Sequence, residues 1–245
     1  MVFSKLVNMW GKNSAKVVRD KILEEYYSEV YQKYLFSKDA QGLGNRYFES
    51  ALEKFWKEKV PVKVLEIGGG SGEHLPYIGY IPAHSYTSVD IRRKFHDSYL
   101  EGLNPEFASK VNFVIADAQD LPFADSYFDR VLSTCLLHHV DDVLAVLLEA
   151  RRVTVTGGEI AFILPTDPGV LNQIVKRLIS YPKLRKLSQI RPELFYALDH
   201  KNHIGSILEL IKYVFSGDSL ELHYEPFKLS SWNLNLLVVA KIIKT

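Results

Sequence analysis

The stretch Val64-Leu65-Glu66-Ile67-Gly68-Gly69-Gly70-Ser71-Gly72 joins an apolar run to an acid, then places glycines at alternate positions 68, 70 and 72. Val62 to Ile67 is short and rich in β-branched residues, as a buried parallel strand is. A glycine-rich turn after such a strand lets backbone amides approach a ligand that side chains would hold away. Where the turn opens a helix, its N-terminal amides suit a carboxylate or phosphate. Two further acids end apolar runs, Asp90 after Ser85 to Val89 and Asp117 after Val111 to Ala116. A carboxylate at the tip of a second strand accepts both hydroxyls of an adenosine ribose. The glycine turn, Asp90 and Asp117 therefore follow three successive strand ends.

The spacing disfavours a dinucleotide. That fingerprint needs Gly-x-Gly-x-x-Gly/Ala. Counting from Gly68 the third position is Glu73, and from Gly70 it is Leu75. Glu73 would also repel a pyrophosphate.

On these residues the chain resembles the class I S-adenosylmethionine-dependent methyltransferases, most nearly the broad small-molecule subgroup called type 11, from about Val62 to Pro165. The resemblance implies S-adenosyl-L-methionine as cofactor. It sets Glu66, Gly68, Gly70 and Gly72 at the methionine portion, Asp90 at the ribose, and Asp117 with Ala118 beside the adenine. Leu121-Pro122-Phe123-Ala124-Asp125-Ser126-Tyr127-Phe128-Asp129 resembles the family's segment leading into strand four. Glu149 to Gly158 resembles the helix and turn before strand five, with Val155-Thr156 where the family usually carries Lys/Arg-Pro.

The elements that must position these residues alternate. Strands are expected near 62–67, 84–90, 111–116, 128–134 and 158–164, with helices near 72–79, 92–100 and 141–152. Such alternation predicts an α/β, doubly wound, Rossmann-like sheet with its ligand outside the carboxyl ends of the strands. Strands at Leu220 to Tyr224 and Asn233 to Ile242 complete the chain. The family resemblance implies seven mostly parallel strands with an antiparallel last strand. Ahead of the sheet, Lys16 to Phe36 reads as an amphipathic helix rich in tyrosine. Gln41-Gly42-Leu43-Gly44 is expected to break it, and Asn45 to cap a second helix through about Lys59. Residues 166–217 exceed one crossover, with helices near 168–180, 183–189 and 203–215. The expected organisation is an N-terminal helical cap at 1–60 and a catalytic domain at 61–245, with a helical lid near 166–217.

Composition narrows the class. Hydrophobic residues make up 47%, enough for a core in a chain of this length. A formal net charge of +1 disfavours a general nucleic-acid binder. The single cysteine, Cys135, excludes an internal disulfide. No apolar run reaches transmembrane length, so integral membrane association is not expected. Met1 to Trp10 lacks an adequate apolar signal region, and a cytoplasmic location is expected.

Methyl transfer from a sulfonium is an in-line displacement on an already activated donor. The protein must align acceptor, methyl and sulfur, worth roughly 7–11 kcal/mol, and sometimes remove a proton. Tyr27 and Tyr31, one helical turn apart, are candidates for covering the cationic sulfonium, a contact worth roughly 0.5–2 kcal/mol; packing of the helix is the alternative. Strand four ends at Ser133-Thr134-Cys135-Leu136-Leu137-His138-His139-Val140. It lacks the Asn/Asp-Pro-Pro-Tyr motif of many nucleic-acid amino-methyltransferases. His138 or His139 is a candidate general base, since imidazole titrates near working pH. In Leu198-Asp199-His200-Lys201-Asn202-His203, His200 is a further candidate base, with Asp199 and His203 as candidate substrate contacts. Helix capping would explain the same residues. His200 and His203 could instead bind metal, but two imidazoles without a clear third ligand are a weak signal and no metal is expected. Lys176, Arg177, Lys183, Arg185, Lys186 and Arg191 make the lid locally basic, which suits a phosphate-bearing acceptor as well as a solvated helix face.

The sequence-based expectation is a methyltransferase acting on an oxygen or nitrogen of a small molecule, a sugar or secondary metabolite. A lipid or quinone acceptor is the runner-up. A nicotinamide dehydrogenase is disfavoured by Glu73, and a cofactor-binding module without catalysis is the rival from another class. Oligomeric state stays open.

Overall fold

The computed structural model describes residues 14–35, 40–55, 62–78, 85–92 and 105–245. They divide into two compact units, Met1–Asn45 with Ile174–Lys201, and Arg46–Gln173 with Asn202–Thr245.

The second unit holds a seven-stranded sheet of order β3-β2-β1-β4-β5-β7-β6. Its strands are β1 (Lys63–Ile67), β2 (Ser85–Asp90), β3 (Val111–Ile115), β4 (Phe128–Thr134), β5 (Thr154–Pro165), β6 (Ser219–Glu225) and β7 (Leu237–Ile243). The first five pair in parallel, and β7 runs antiparallel to both neighbours, as expected from the family resemblance. Alternation sends Leu65, Ile67, Ile160, Phe162, Val238 and Ala240 into one core layer, and Val64, Ala161, Ile163 and Val239 into the other. Helices at Val143–Val153 and Ile204–Val214 cover the first layer through Val146, Leu147, Ile207 and Ile211. The end of the helix Ala40–Glu53, with Ala51 and Leu52, and the short helix Leu75–Ile78 cover the second.

Strand β5 starts at Thr154, earlier than its expected start at 158. The register slips between Phe128 and Arg130, so residues 155–158 form a bulge that Gly157, at φ 82°, allows. The Gln41 to Gly44 segment, expected to break a helix, lies inside Ala40–Glu53, and Asn45 is an interior residue rather than a cap. Gly42 is buried there, so packing overrides the low helix propensity of two glycines. That helix ends at Glu53; the expected extension to Lys59 runs past it into residues 56–61, outside the described residues. The helix expected at 92–100 falls almost wholly outside them as well.

The first unit is helical. Ser14–Glu25, a π-turn at Tyr26–Val30 and Tyr31–Leu35 run on from one another; Phe36 lies outside the described residues. Ile174 onward belongs to a second such run, Val170–Val175, a π-turn at Lys176–Ser180, and Tyr181–Leu187. Pro192–Asp199 is a further helix that periodicity did not reveal; Pro192 occupies its first turn, where a missing N–H costs nothing. Ile22, Tyr26, Val30, Tyr34, Leu184, Ile190 and Phe195 form this unit's core.

Candidate active site

Strand register brings the acids together. Glu66 pairs with Ser88, and Asp90 with Ile115, so the carboxyl ends of β1, β2 and β3 lie side by side. Gly68, Gly70 and Gly72 take φ of 77°, 54° and 83°, a left-handed region that side chains avoid. Gly68 N–H and Gly69 N–H donate to the Val89 carbonyl at 2.7 and 3.2 Å, folding the loop back over the tip of β2. Gly69, between the expected glycines, has less room than Gly68. A Cβ there would overlap Ser88 Oγ and come within 2.6 Å of Glu66 Oε2.

Asp90 ties the loop to the second strand. One carboxylate oxygen accepts from Gly70 N–H at 3.2 Å and the other from Arg92 N–H at 2.8 Å. Burial raises its pKa, partly offset by those amides and by the Arg92 charge. Each oxygen keeps a lone pair for a ribose hydroxyl. Glu66 is fully buried and accepts from Tyr86 O–H at 2.8 Å. Glu73 turns inward, and its Oε2 takes the Ser71 N–H at 3.0 Å. Burial pushes its pKa up to about 8, with the charges of Glu49 and Glu66 acting in the same sense. A carboxyl group thus occupies an amide that a pyrophosphate would need.

Asp117 lies two residues beyond β3, exposed, and accepts from Gln119 N–H at 2.9 Å and from the Gln119 side chain at 3.1 Å. Gln119 Oε1 in turn accepts from Asp142 N–H, and Asp142 caps the helix Val143–Val153. Ala118 packs half-buried against the core. The Leu121 to Asp125 loop is clamped by Arg152, which donates to the carbonyls of Leu121 and Phe123 and pairs with Asp125.

After β4, Cys135 adopts φ 56°, and His138 and His139 sit with ring centroids 3.9 Å apart, His138 buried. Asn202 holds this loop: its side chain donates to the Leu137 and Val140 carbonyls at 3.1 and 2.8 Å, and its N–H to the His138 carbonyl. Sequence reasoning passed over Asn202, although it stands in the polar cluster singled out there. His203 occupies the N-cap position of Ile204–Val214, exposed and without a capping bond.

The other candidates belong to the first unit. Tyr27 O–H reaches both oxygens of buried Asp199, at 3.0 and 3.1 Å. The Tyr27 and Tyr31 rings lie 5.3 Å apart. His200 presents its ring at right angles to Tyr196, 4.7 Å away.

A network of buried charged side chains was invisible in the sequence. His74, directly after the glycine loop and fully buried, bonds Glu49 at 3.2 Å and Glu53 at 3.0 Å. Glu53 also pairs with Arg130 at 2.9 Å, and Arg130 with Glu159 at 3.1 Å. Burial opposes charge on His74, but the two carboxylates outweigh it and push its pKa up to about 9. A folded pKa above the ordinary 6.5 means stability that is complete below pH 6.5 and lost as pH rises through 9. Glu73 acts in the same sense over pH 4.5 to 8. Chemical denaturation is expected to show a loss on the order of 2–3 kcal/mol between pH 6.5 and 9.5 from His74 alone. The same titration of a His74→Asn variant should lose most of that slope.

The chemistry of this set fits S-adenosylmethionine. Glu66 offers a buried carboxyl group, the cramped glycine cradle leaves open backbone, and Asp90 offers paired acceptors at the strand tip. Glu66, Gly68, Gly70, Gly72 and Asp90 would hold it, with Asp117 and Ala118 flanking.

Comparison with known proteins agrees. The family model described as "Methyltransferase domain", of type 11, matches residues 65–162. The ubiquinone/menaquinone biosynthesis C-methyltransferase of Desulfotalea psychrophila is 26% identical over 204 residues, covering 77% of this chain and 81% of that protein. The 27-O-demethylrifamycin SV methyltransferase of Amycolatopsis mediterranei is 32% identical over 47% of this chain, which spans only 44% of that enzyme. In fold, the PH0226 protein of Pyrococcus horikoshii superposes with a TM-score of 0.62 at 19% identity, covering 90% of this chain and 99% of that one. A Thermotoga maritima methyltransferase gives 0.56 at 16% identity, covering 94% and 97%. Glycine loop, strand-tip acids, sheet order and the methyltransferase-domain match over residues 65–162 converge on S-adenosylmethionine-dependent methyl transfer, with S-adenosylmethionine as the cofactor.

Proposed function

We propose that the chain transfers the cofactor's methyl group to an oxygen or nitrogen of a small molecule, a sugar or secondary metabolite. The observation that carries cofactor capture is the Asp90 carboxylate, buried at the strand tip and bonded to Gly70 N–H of the cradle. The bound cofactor supplies an electrophilic methyl on sulfur. The chain's own part is to orient the acceptor, exclude water and, where needed, take a proton. His138 and His139, on the loop held by Asn202, are the bases we assign to the sheet-bearing unit. We assign acceptor recognition to the helical unit, through Tyr27, Tyr31, Asp199 and His200, with His203 as a further contact. On this reading the helical segment 1–60 and the lid near 166–217 serve the acceptor, and 61–245 is the catalytic domain.

A second reading, a lipid or quinone acceptor, is favoured by the likeness to a ubiquinone/menaquinone C-methyltransferase over most of that protein's length.

Calorimetric titration tests the cofactor side. S-adenosylhomocysteine is expected to bind at about −8 kcal/mol, and NAD negligibly. Asp90→Asn keeps the shape and weakens binding by roughly 1.5–3 kcal/mol. We choose asparagine over alanine because Asp90 also anchors Gly70 and Arg92. Tighter binding of NAD than of S-adenosylhomocysteine would overturn the reading. Acceptor panels scored by methyl transfer then separate small polar acceptors from quinones.

A further inference from the structure

From Ile174 to Arg191 the chain carries Lys176, Arg177, Lys183, Arg185, Lys186 and Arg191, and no Asp or Glu. Five of these cations divide into two groups. Lys176 is buried over the Tyr196 ring at 4.1 Å, Lys183 donates to the Tyr34 carbonyl, and Arg185 pairs with Glu193. Those three hold the helical unit together. Arg177 and Lys186 are exposed and enter no ion pair among the described residues. Beside them the apolar side chains point outward. Ile174 and Leu178, one turn apart with Arg177 between them, are 48% and 72% exposed. Leu187, next to Lys186, is 36% exposed.

A helix face kept for water places polar side chains at its most exposed positions and mixes charge signs. This face does neither. Leucine and isoleucine stand where water contact is greatest, and every charge of the segment itself is positive. That pairing is complementary to one kind of surface: apolar side chains entering the acyl boundary while guanidinium and ammonium groups meet phosphates. No described helix is long and apolar enough to cross a membrane, so the contact would lie in the interface plane.

We propose that the Ile174–Leu187 face docks on an anionic phospholipid surface. The inference concerns where the protein works and does not rest on which acceptor it methylates. Co-sedimentation of the whole chain with vesicles of phosphatidylcholine plus phosphatidylglycerol, against phosphatidylcholine alone, tests it. Binding is expected only to the anionic vesicles, and it should fall as salt rises. Neutralising Arg177→Gln with Lys186→Gln should weaken it roughly 30-fold, about 5-fold for each cation. Leu178→Ser should weaken it with charge unchanged, and circular dichroism checks that each variant is folded. Equal binding to neutral vesicles, no binding at low salt, or folded variants that bind like the parent would each overturn the proposal. So would a concentration-dependent dimer in sedimentation velocity that Leu178→Ser abolishes, since the face would then meet a second copy of the chain.

Discussion

Replacing Arg130 with methionine is expected to lower the unfolding free energy by about 3–5 kcal/mol. Arg130 is fully buried on β4 and bonds Glu53 and Glu159, themselves largely buried. Methionine fills much of the same volume and leaves those carboxylates without their cation. The balance behind the estimate is visible in the cluster: Glu49, Glu53 and Glu159 are matched by protonated His74, Arg130 and Lys241, whose Nζ lies 3.5 Å from Glu159. Removing one cation leaves a net buried negative charge, which desolvation penalises steeply. Urea denaturation of the parent and Arg130→Met measures the loss. A triple variant, Arg130→Met with Glu53→Gln and Glu159→Gln, should recover part of it, because the excess charge is gone. A loss under 1 kcal/mol in the single variant would mean that solvent reaches the cluster. His74 lies two residues past Gly72, so its bonds to Glu49 and Glu53 tie the glycine loop to the preceding helix.

Gly69→Ala is expected to weaken cofactor binding by about 5- to 150-fold, the equivalent of 1–3 kcal/mol of overpacking. The added methyl would overlap Ser88 Oγ and crowd Glu66 Oε2, and neither can retreat freely, because Ser88 and Glu66 are both fully buried. Something in the cradle must shift, and the cradle is where we assign the methionine portion of the cofactor. Adding Ser88→Gly removes the worst overlap and should restore part of the affinity. Gly205→Ala, where nothing lies within 4 Å of the new methyl, is the control and should bind as the parent does. Titration with S-adenosylhomocysteine reads all three. Parent-like affinity in folded Gly69→Ala would show that the loop does not contact the cofactor as assigned.

The alternate glycines, Asp90 and Asp117 were legible because local rules act on them. A buried parallel strand reads as an apolar run, and the ligand sits where such runs end. Hence β1 to β4 fall within a residue or so of their expected positions, and the acids stand at or just past their tips. Glu73 was readable as a break in the dinucleotide spacing; the fold adds that its carboxyl group takes the Ser71 amide itself.

The charged network was not legible. Glu49, Glu53, His74, Arg130, Glu159 and Lys241 come from a helix, a loop and three strands, at separations that carry no period. Only strand pairing and helix docking bring them together, and only burial makes their charges costly enough to require one another. Asn202 follows the same rule: alone it is one polar residue before a helix, and it becomes the latch of the His138–His139 loop once β4 and the helix Ile204–Val214 are neighbours. The Gln41 to Gly44 segment shows the reverse case. Its glycines locally favour a break, and the buried packing of Gly42 keeps it helical. Sequence by itself thus determined the order of elements and the chemistry at the strand ends, since both follow from periodicity and backbone sterics. Tertiary structure alone decided which buried charges neutralise each other and how tightly the cofactor cradle is braced, because those energies depend on distance and desolvation between residues far apart in the chain.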